Sequence, residues 1–381
     1  MRIYLDHNAT TPVRPEVAEA MERVLREVYG NPSSVHAEGA RARRELWEAR
    51  ERCAALVGVH PEEVIFTAGA TEANNLALFG TAGLRDRQGR HLVSTRTEHP
   101  SVEAPLARLE QLGFRVTRLA VDRRGLLDPA ELEAVLGPET ALVSILWANN
   151  ETGVIQPMEI LAERVHARGI PLHVDATQAL GKIPVDLGRV PADLLSASGH
   201  KLGGPKGVGM LVRRRGLPLE PFVRGGGQEG GLRGGTENVP GAVGFGVACE
   251  LALRELEARQ RRYAALRDRL FEGLRAAIAD LRWNGGPGPV LPNTLNACFP
   301  GASGEFLLQA LDLEGVSVSA GAACHSGSVE PSGVLLAMGL TPEEAGASLR
   351  LSVGHGVDEA QIDRVVEILP RLVARARELA A

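Results

Sequence analysis

Lysine is scarce in this chain: among 381 residues only Lys182, Lys201 and Lys206 are lysines. Amine chemistry therefore has few possible carriers. Lys201 closes the triplet Gly199-His200-Lys201, directly after the strand-like run DLLSASG (193–199). Glycine there permits close backbone approach, and a partly desolvated lysine has its pKa lowered toward that of a usable nucleophile. Lys206, in GGPKG, is the nearest rival, and Lys182, in GKIPVD, is a weaker one at a turn. A thiol offers the second reactive group. Cys53 and Cys249 fall in helical patterns and Cys298 in a strand pattern, where cysteine behaves as a small buried hydrophobe. Cys324 instead stands in SAGAACHSGSVEPSG (319–333), a run of small residues that predicts an accessible loop, the setting a reactive thiolate needs. No C-x-x-C pair occurs, so neither a disulfide framework nor a zinc site is implied.

Further polar residues stand just beyond predicted strands: Thr71, His99, Asn149 and Asn150, Asp175 with Gln178, and the run from Ser198 to Lys201. Open α/β sheets collect ligands beyond the carboxyl ends of their strands. Taken singly, each of these residues has an ordinary structural explanation, as a helix cap, a loop residue or a solvated cation. Together they supply what pyridoxal phosphate requires. An amine forms a Schiff base, a carboxylate keeps the pyridine nitrogen protonated, and hydroxyls with backbone N–H groups at a helix start hold the phosphate. Arg350, in the apolar strand pattern LRLSVG, is either half of a structural ion pair or a bidentate clamp on a substrate carboxylate. The stretch RGGGQEGGLRGGTEN (224–238) is too rich in glycine for a regular element and reads as a loop, either phosphate-binding or a plain surface connection.

These residues need a scaffold, and the pattern predicts an α/β one. Helical periodicity at 42–58 and 70–80 alternates with short apolar runs at 63–69, 91–95, 114–120, 141–148, 170–176, 193–199 and 207–213. This implies a mainly parallel sheet flanked by helices. A charged amphipathic run over 250–280 predicts a long helix leading out of it. Strand-like runs at 293–299, 316–321 and 348–354 then predict a smaller α+β domain. The expected division is a large domain over 15–257 and a small one over 258–381, joined by the N-terminal segment 1–14. A net charge of −5 gives no footprint for nucleic acid or an anionic membrane. With no apolar run resembling a span or a signal peptide, the expected location is the cytoplasm.

The motifs YLDHNATTP (4–12), YGNPSSVH (29–36), FTAGATEANNLAL (66–78), TEHPSV (97–102), NNETGVIQP (149–157), HVDATQALGKIPVD (173–186), SASGHKLGGPKGVG (196–209), RGGT (233–236) and SAGAACHSGSVEPSGVL (319–335) keep an order and spacing that cover nearly the whole chain. In these the chain resembles the NifS/IscS-like cysteine desulfurases, class-V aminotransferase-like enzymes of the aspartate-aminotransferase fold. The long segment between Cys324 and Pro331 is similar to that branch rather than to short-loop relatives. The resemblance implies a homodimer using pyridoxal 5′-phosphate. Lys201 would carry the cofactor, Asp175 pair with its ring nitrogen, Gln178 bond its phenolic oxygen and His99 stack on the ring. Ala70, Thr71, Ser198 and His200 would hold the phosphate, with Thr236 reaching in from the neighbouring subunit. Asn150 and Arg350 would bind the carboxylate of L-cysteine, and Cys324 would receive the sulfur as a persulfide for an acceptor protein in iron–sulfur assembly or thiolation. The alternative within the same family is a selenocysteine lyase or another class-V enzyme lacking persulfide chemistry.

Overall fold

Seven strands of a computed structural model, which describes residues 2–84, 89–320 and 331–380, form the central sheet. In chain order they are β1 (Val64–Thr67), β2 (His91–Thr95), β3 (Arg115–Leu119), β4 (Thr140–Leu146), β5 (Leu172–Asp175), β6 (Leu194–Ser198) and β7 (Gly209–Arg213). Across the sheet the order is β1-β7-β6-β5-β4-β2-β3. β7 runs antiparallel to both its neighbours, and the remaining pairs are parallel.

Both faces of the sheet are covered, which is why the strands read as continuous apolar runs. Successive side chains point to opposite faces. Leu195, Val143 and Val174 therefore pack with helices Ala37–Val57 and Val239–Ala277, while Leu194, Leu142 and Leu211 pack with helices Ala70–Ala82 and Pro100–Gln111.

A second core is built on the antiparallel strands Thr294–Cys298 and Ser348–Ser352, covered by helices Gly304–Leu313 and Glu359–Ala380. The long helix Val239–Ala277 serves both cores. Phe245, Ala248 and Leu251 lie in the first, and Leu266, Leu270 and Leu274 in the second. It begins well before the predicted 250. Its first turns, VPGAVGFGVACE, carry glycines that argue against a helix, yet a Cβ on Gly246 would lie 2.8 Å from the Ala49 Cα and one on Gly244 2.6 Å from the Met21 Sδ. Those glycines let neighbouring helices approach closely, and packing overrides propensity. Helix Pro15–Glu27, absent from the expectation, packs on the same long helix. None of the described helices is long and apolar enough to cross a membrane.

Candidate active site

The carboxyl ends of the parallel strands, together with the start of β7, open on a cleft of about 1240 Å³. Sheet order reverses beside β4, the place where such folds bind ligands. Ala70, Thr71, His99, Asn150, Asp175, Gln178, Ser198, His200, Lys201 and Arg350 all line this cleft. Thr236 does not line it and is exposed. Cys324 lies outside the described residues, but Ser319 and Ala320 before it and Pro331 to Gly333 after it line the cleft. The other three cysteines are buried, as their patterns predicted.

Lys201 ends the short 3-10 turn after β6. Its Nζ donates to the carbonyls of Asn8, at 2.6 Å, and Ala9, at 2.8 Å. Burial, reinforced by the Arg350 charge, pulls its pKa down to about 8. His200 is likewise pulled down to about 4 by burial and by Lys201, so it is neutral at pH 7. Lys206 also lines the cleft but is exposed, whereas Lys182 is buried beneath it.

Asp175 ends β5 and is 3% exposed. One carboxylate oxygen accepts from the Thr177 N–H at 2.9 Å and the other from Asn74 Nδ2 at 2.8 Å, so the donors it takes there are neutral. The same Asn74 Nδ2 lies 2.8 Å from the Ser101 hydroxyl, which meets His99 Nδ1 at 2.8 Å. His99 caps helix Pro100–Gln111, its Nδ1 accepting from the Ser101 N–H at 3.1 Å. An accepting Nδ1 leaves the neutral ring's proton on Nε2. Burial depresses the His99 pKa further.

Helix Ala70–Ala82 starts at the cleft with Gly69 as its N-cap, and no side chain caps its first turn. Gly69 has φ +155°, a conformation open essentially to glycine alone. The N–H groups of Ala70 and Thr71, in the uncapped first turn with Ser198 beside them, are donors of the kind an anion accepts. Opposite, Arg350 is 6% exposed and donates from Nη1 to the Asn150 carbonyl, at 3.0 Å, and from Nη2 to Asp6 Oδ1, at 2.7 Å. Its Nε is buried with no partner.

Three participants had no place among the expected site residues. Asn8, 1% exposed, gives its carbonyl to Lys201 and to Gln178 Nε2 at 2.9 Å, and its amide to the Thr294 hydroxyl at 2.9 Å. Asn74 links Asp175 to Ser101, as described. Glu151 lines the cleft, bonds the Ser332 hydroxyl and is pushed up to about 7 by burial. Asn8 and Asn74 lay inside quoted motifs, but nothing local distinguishes them from a turn residue and a helix residue. The glycine-rich stretch is tied to its surroundings by Glu229, at φ +49°, which is bonded by Arg50 at 2.7 Å and by the Phe66 N–H at 3.0 Å, and by Arg233, whose Nε donates to Glu72 at 2.9 Å.

The class-V aminotransferase family model matches residues 3–365. A cysteine desulfurase of Trichormus azollae is 47% identical over 377 residues, covering 99% of this chain and 94% of its own length. A cysteine desulfurase IscS of Dictyoglomus turgidum is 43% identical, covering 99% and 96%. Among solved structures, a NifS-like protein superposes with a TM-score of 0.93 at 38% identity, covering 98% of this chain and all of that one. The chain thus belongs to the class-V aminotransferase family, among its NifS- and IscS-like cysteine desulfurases.

Proposed function

We propose that this chain is a pyridoxal-phosphate-dependent cysteine desulfurase that converts L-cysteine to L-alanine and takes the sulfur onto Cys324 as a persulfide. The observation that carries the reading is the meeting, in one cleft, of a desolvated amine, a buried carboxylate with neutral donors and a buried guanidinium. The residues fit the cofactor. Lys201 is the amine for its aldehyde, and Asp175 holds the proton-bearing ring nitrogen. The uncapped turn at Ala70 and Thr71, with Ser198 and His200, receives the phosphate, and His99 covers the ring. Thr236, exposed on its own chain, is offered to the cleft of a second copy in a homodimer.

When bound, the cofactor supplies an electron sink for the pair left when the substrate Cα–H bond breaks. Arg350 and Asn150 hold the substrate carboxylate, which fixes the Cα–H bond above the cleft floor. Lys201 would be a base poised near neutral pH to accept the α-proton. His99 carries a proton on Nε2 at the cleft face. The Cys324 thiolate attacks the substrate sulfur: a sulfur–sulfur bond forms as the carbon–sulfur bond breaks, and the alanine carbon gains a proton. L-cysteine plus the Cys324 thiol thus balances as L-alanine plus the persulfide, with no external oxidant. That sulfur passes to an acceptor protein in the cytoplasm, for iron–sulfur assembly or thiolation.

The test is Cys324→Ser. The variant is expected to keep the visible absorbance of the bound cofactor and to lose alanine formation by about a thousandfold or more. Wild-type turnover in it contradicts the reading.

A further inference from the structure

Lys182 takes no part in the chemistry above, yet it is 5% exposed beneath the cleft. Burial, with Lys201 and Arg350 close by, pushes its pKa far down. A lysine so placed must give its N–H groups to acceptors. Two side-chain amides take them. Nζ bonds Gln178 Oε1 and lies 3.2 Å from Asn8 Oδ1. Asn8 Oδ1 also accepts from Asn293 Nδ2 at 3.0 Å, so the acceptor ends of both amides are fixed by donors.

An amide has an acceptor end and a donor end, and holding one decides where the other points. With Oε1 held by Lys182, Gln178 presents Nε2 on the side of Asn8 and the cleft. One of its hydrogens goes to the Asn8 carbonyl at 2.9 Å. The second is left for a ligand in the cleft that Gln178 lines. Lys182 is thus one of two restraints: without it only the Asn8 carbonyl would oppose the reversed amide, which would turn an oxygen toward that ligand.

We propose that Lys182 is a positioning residue, which holds the Gln178 amide so that the chain offers a donor, not an acceptor, to the phenolic oxygen of the bound cofactor. The proposal rests on the cofactor reading above. A donor there stabilises the oxygen's negative charge most when no proton is shared with the neighbouring nitrogen, so it lowers the pH midpoint at which the visible band changes.

The experiment is a spectral pH titration of the cofactor-loaded protein. Lys182→Met is expected to raise the midpoint toward that of Gln178→Ala, which itself rises by about one pH unit. The double variant is expected to shift no further, because two residues acting through one bond are not additive. Lys182→Arg keeps the donor, and a cavity of about 30 Å³ beside Lys182 gives the larger group room. Because its permanent charge acts only to lower the midpoint, the value is expected not to rise above that of the wild type, a result readable even where the methionine variant does not fold. An unmoved midpoint in Lys182→Met, additive shifts in the double variant, or a full shift in Lys182→Arg overturns the proposal. A wild-type protein without the band overturns the cofactor reading itself, and the proposal with it. A normal band with an unmoved midpoint overturns the proposal alone.

Discussion

Lys201 reacts as a base and nucleophile only when neutral, and its surroundings decide how often that is. With its pKa pulled to about 8, roughly one molecule in ten carries the free amine at pH 7, against about one in three thousand for an ordinary lysine. Covalent uptake of pyridoxal phosphate by cofactor-free protein, followed by absorbance, is therefore expected to quicken with rising pH and level off above about 8. A rate still climbing toward pH 10 contradicts this. Lys201, Asp175 and Arg350 were legible in the sequence because a reactive or costly residue type stands at a strand end or inside an apolar strand. Lys182 was read as a weak candidate at a turn. Of its partners, Gln178 stands only four residues away, but Asn8 lies 174 residues distant and becomes a neighbour only through folding. The same holds for Asn74, in helix Ala70–Ala82, whose contact with Asp175 joins residues 101 apart in the chain.

Elements set these residues at their distances, and one tight joint is between β7 and the turn before helix Ala70–Ala82. A Cβ on Gly209 would lie 2.5 Å from the Ala197 carbonyl oxygen and 2.7 Å from the Gly69 Cα, both backbone atoms. Gly209→Ala must push that turn outward, where the N–H groups proposed to bind the phosphate start. We expect a stability loss of about 1–3 kcal/mol in urea unfolding, with weaker cofactor retention. Wild-type stability and retention would remove the close-approach argument. The strands of this sheet were readable from apolar runs bounded by polar residues. The early start of helix Val239–Ala277 was not, because its glycines carry information about a neighbouring helix rather than about local conformation.

Over the whole molecule, the N-terminal segment ties the two cores at the cleft. Strand Ile3–Tyr4 pairs with Val316–Ser317, Asp6 holds Arg350, and Asn8 joins Lys182, Lys201 and Gln178 to Asn293, Thr294 and Ser352. Asn8→Ala removes one side of a buried network and leaves donors unpaired. It is expected to cost about 1–3 kcal/mol in urea unfolding and to loosen the cofactor as well. A loss confined to one of the two readouts would show that the segment does not couple them. The sequence placed this segment as a joining piece and quoted its motif, but its hydrogen bonds cross so much of the chain that only the folded structure displays them. The proposed function of these residues is the transfer of one sulfur atom, and mass spectrometry of the cofactor-loaded protein after incubation with L-cysteine tests it most directly. The account predicts the mass of one added sulfur on the peptide containing Cys324, removable by a thiol reductant, with alanine released. Alanine without that added sulfur, or the sulfur on Cys53, Cys249 or Cys298 instead, would contradict it.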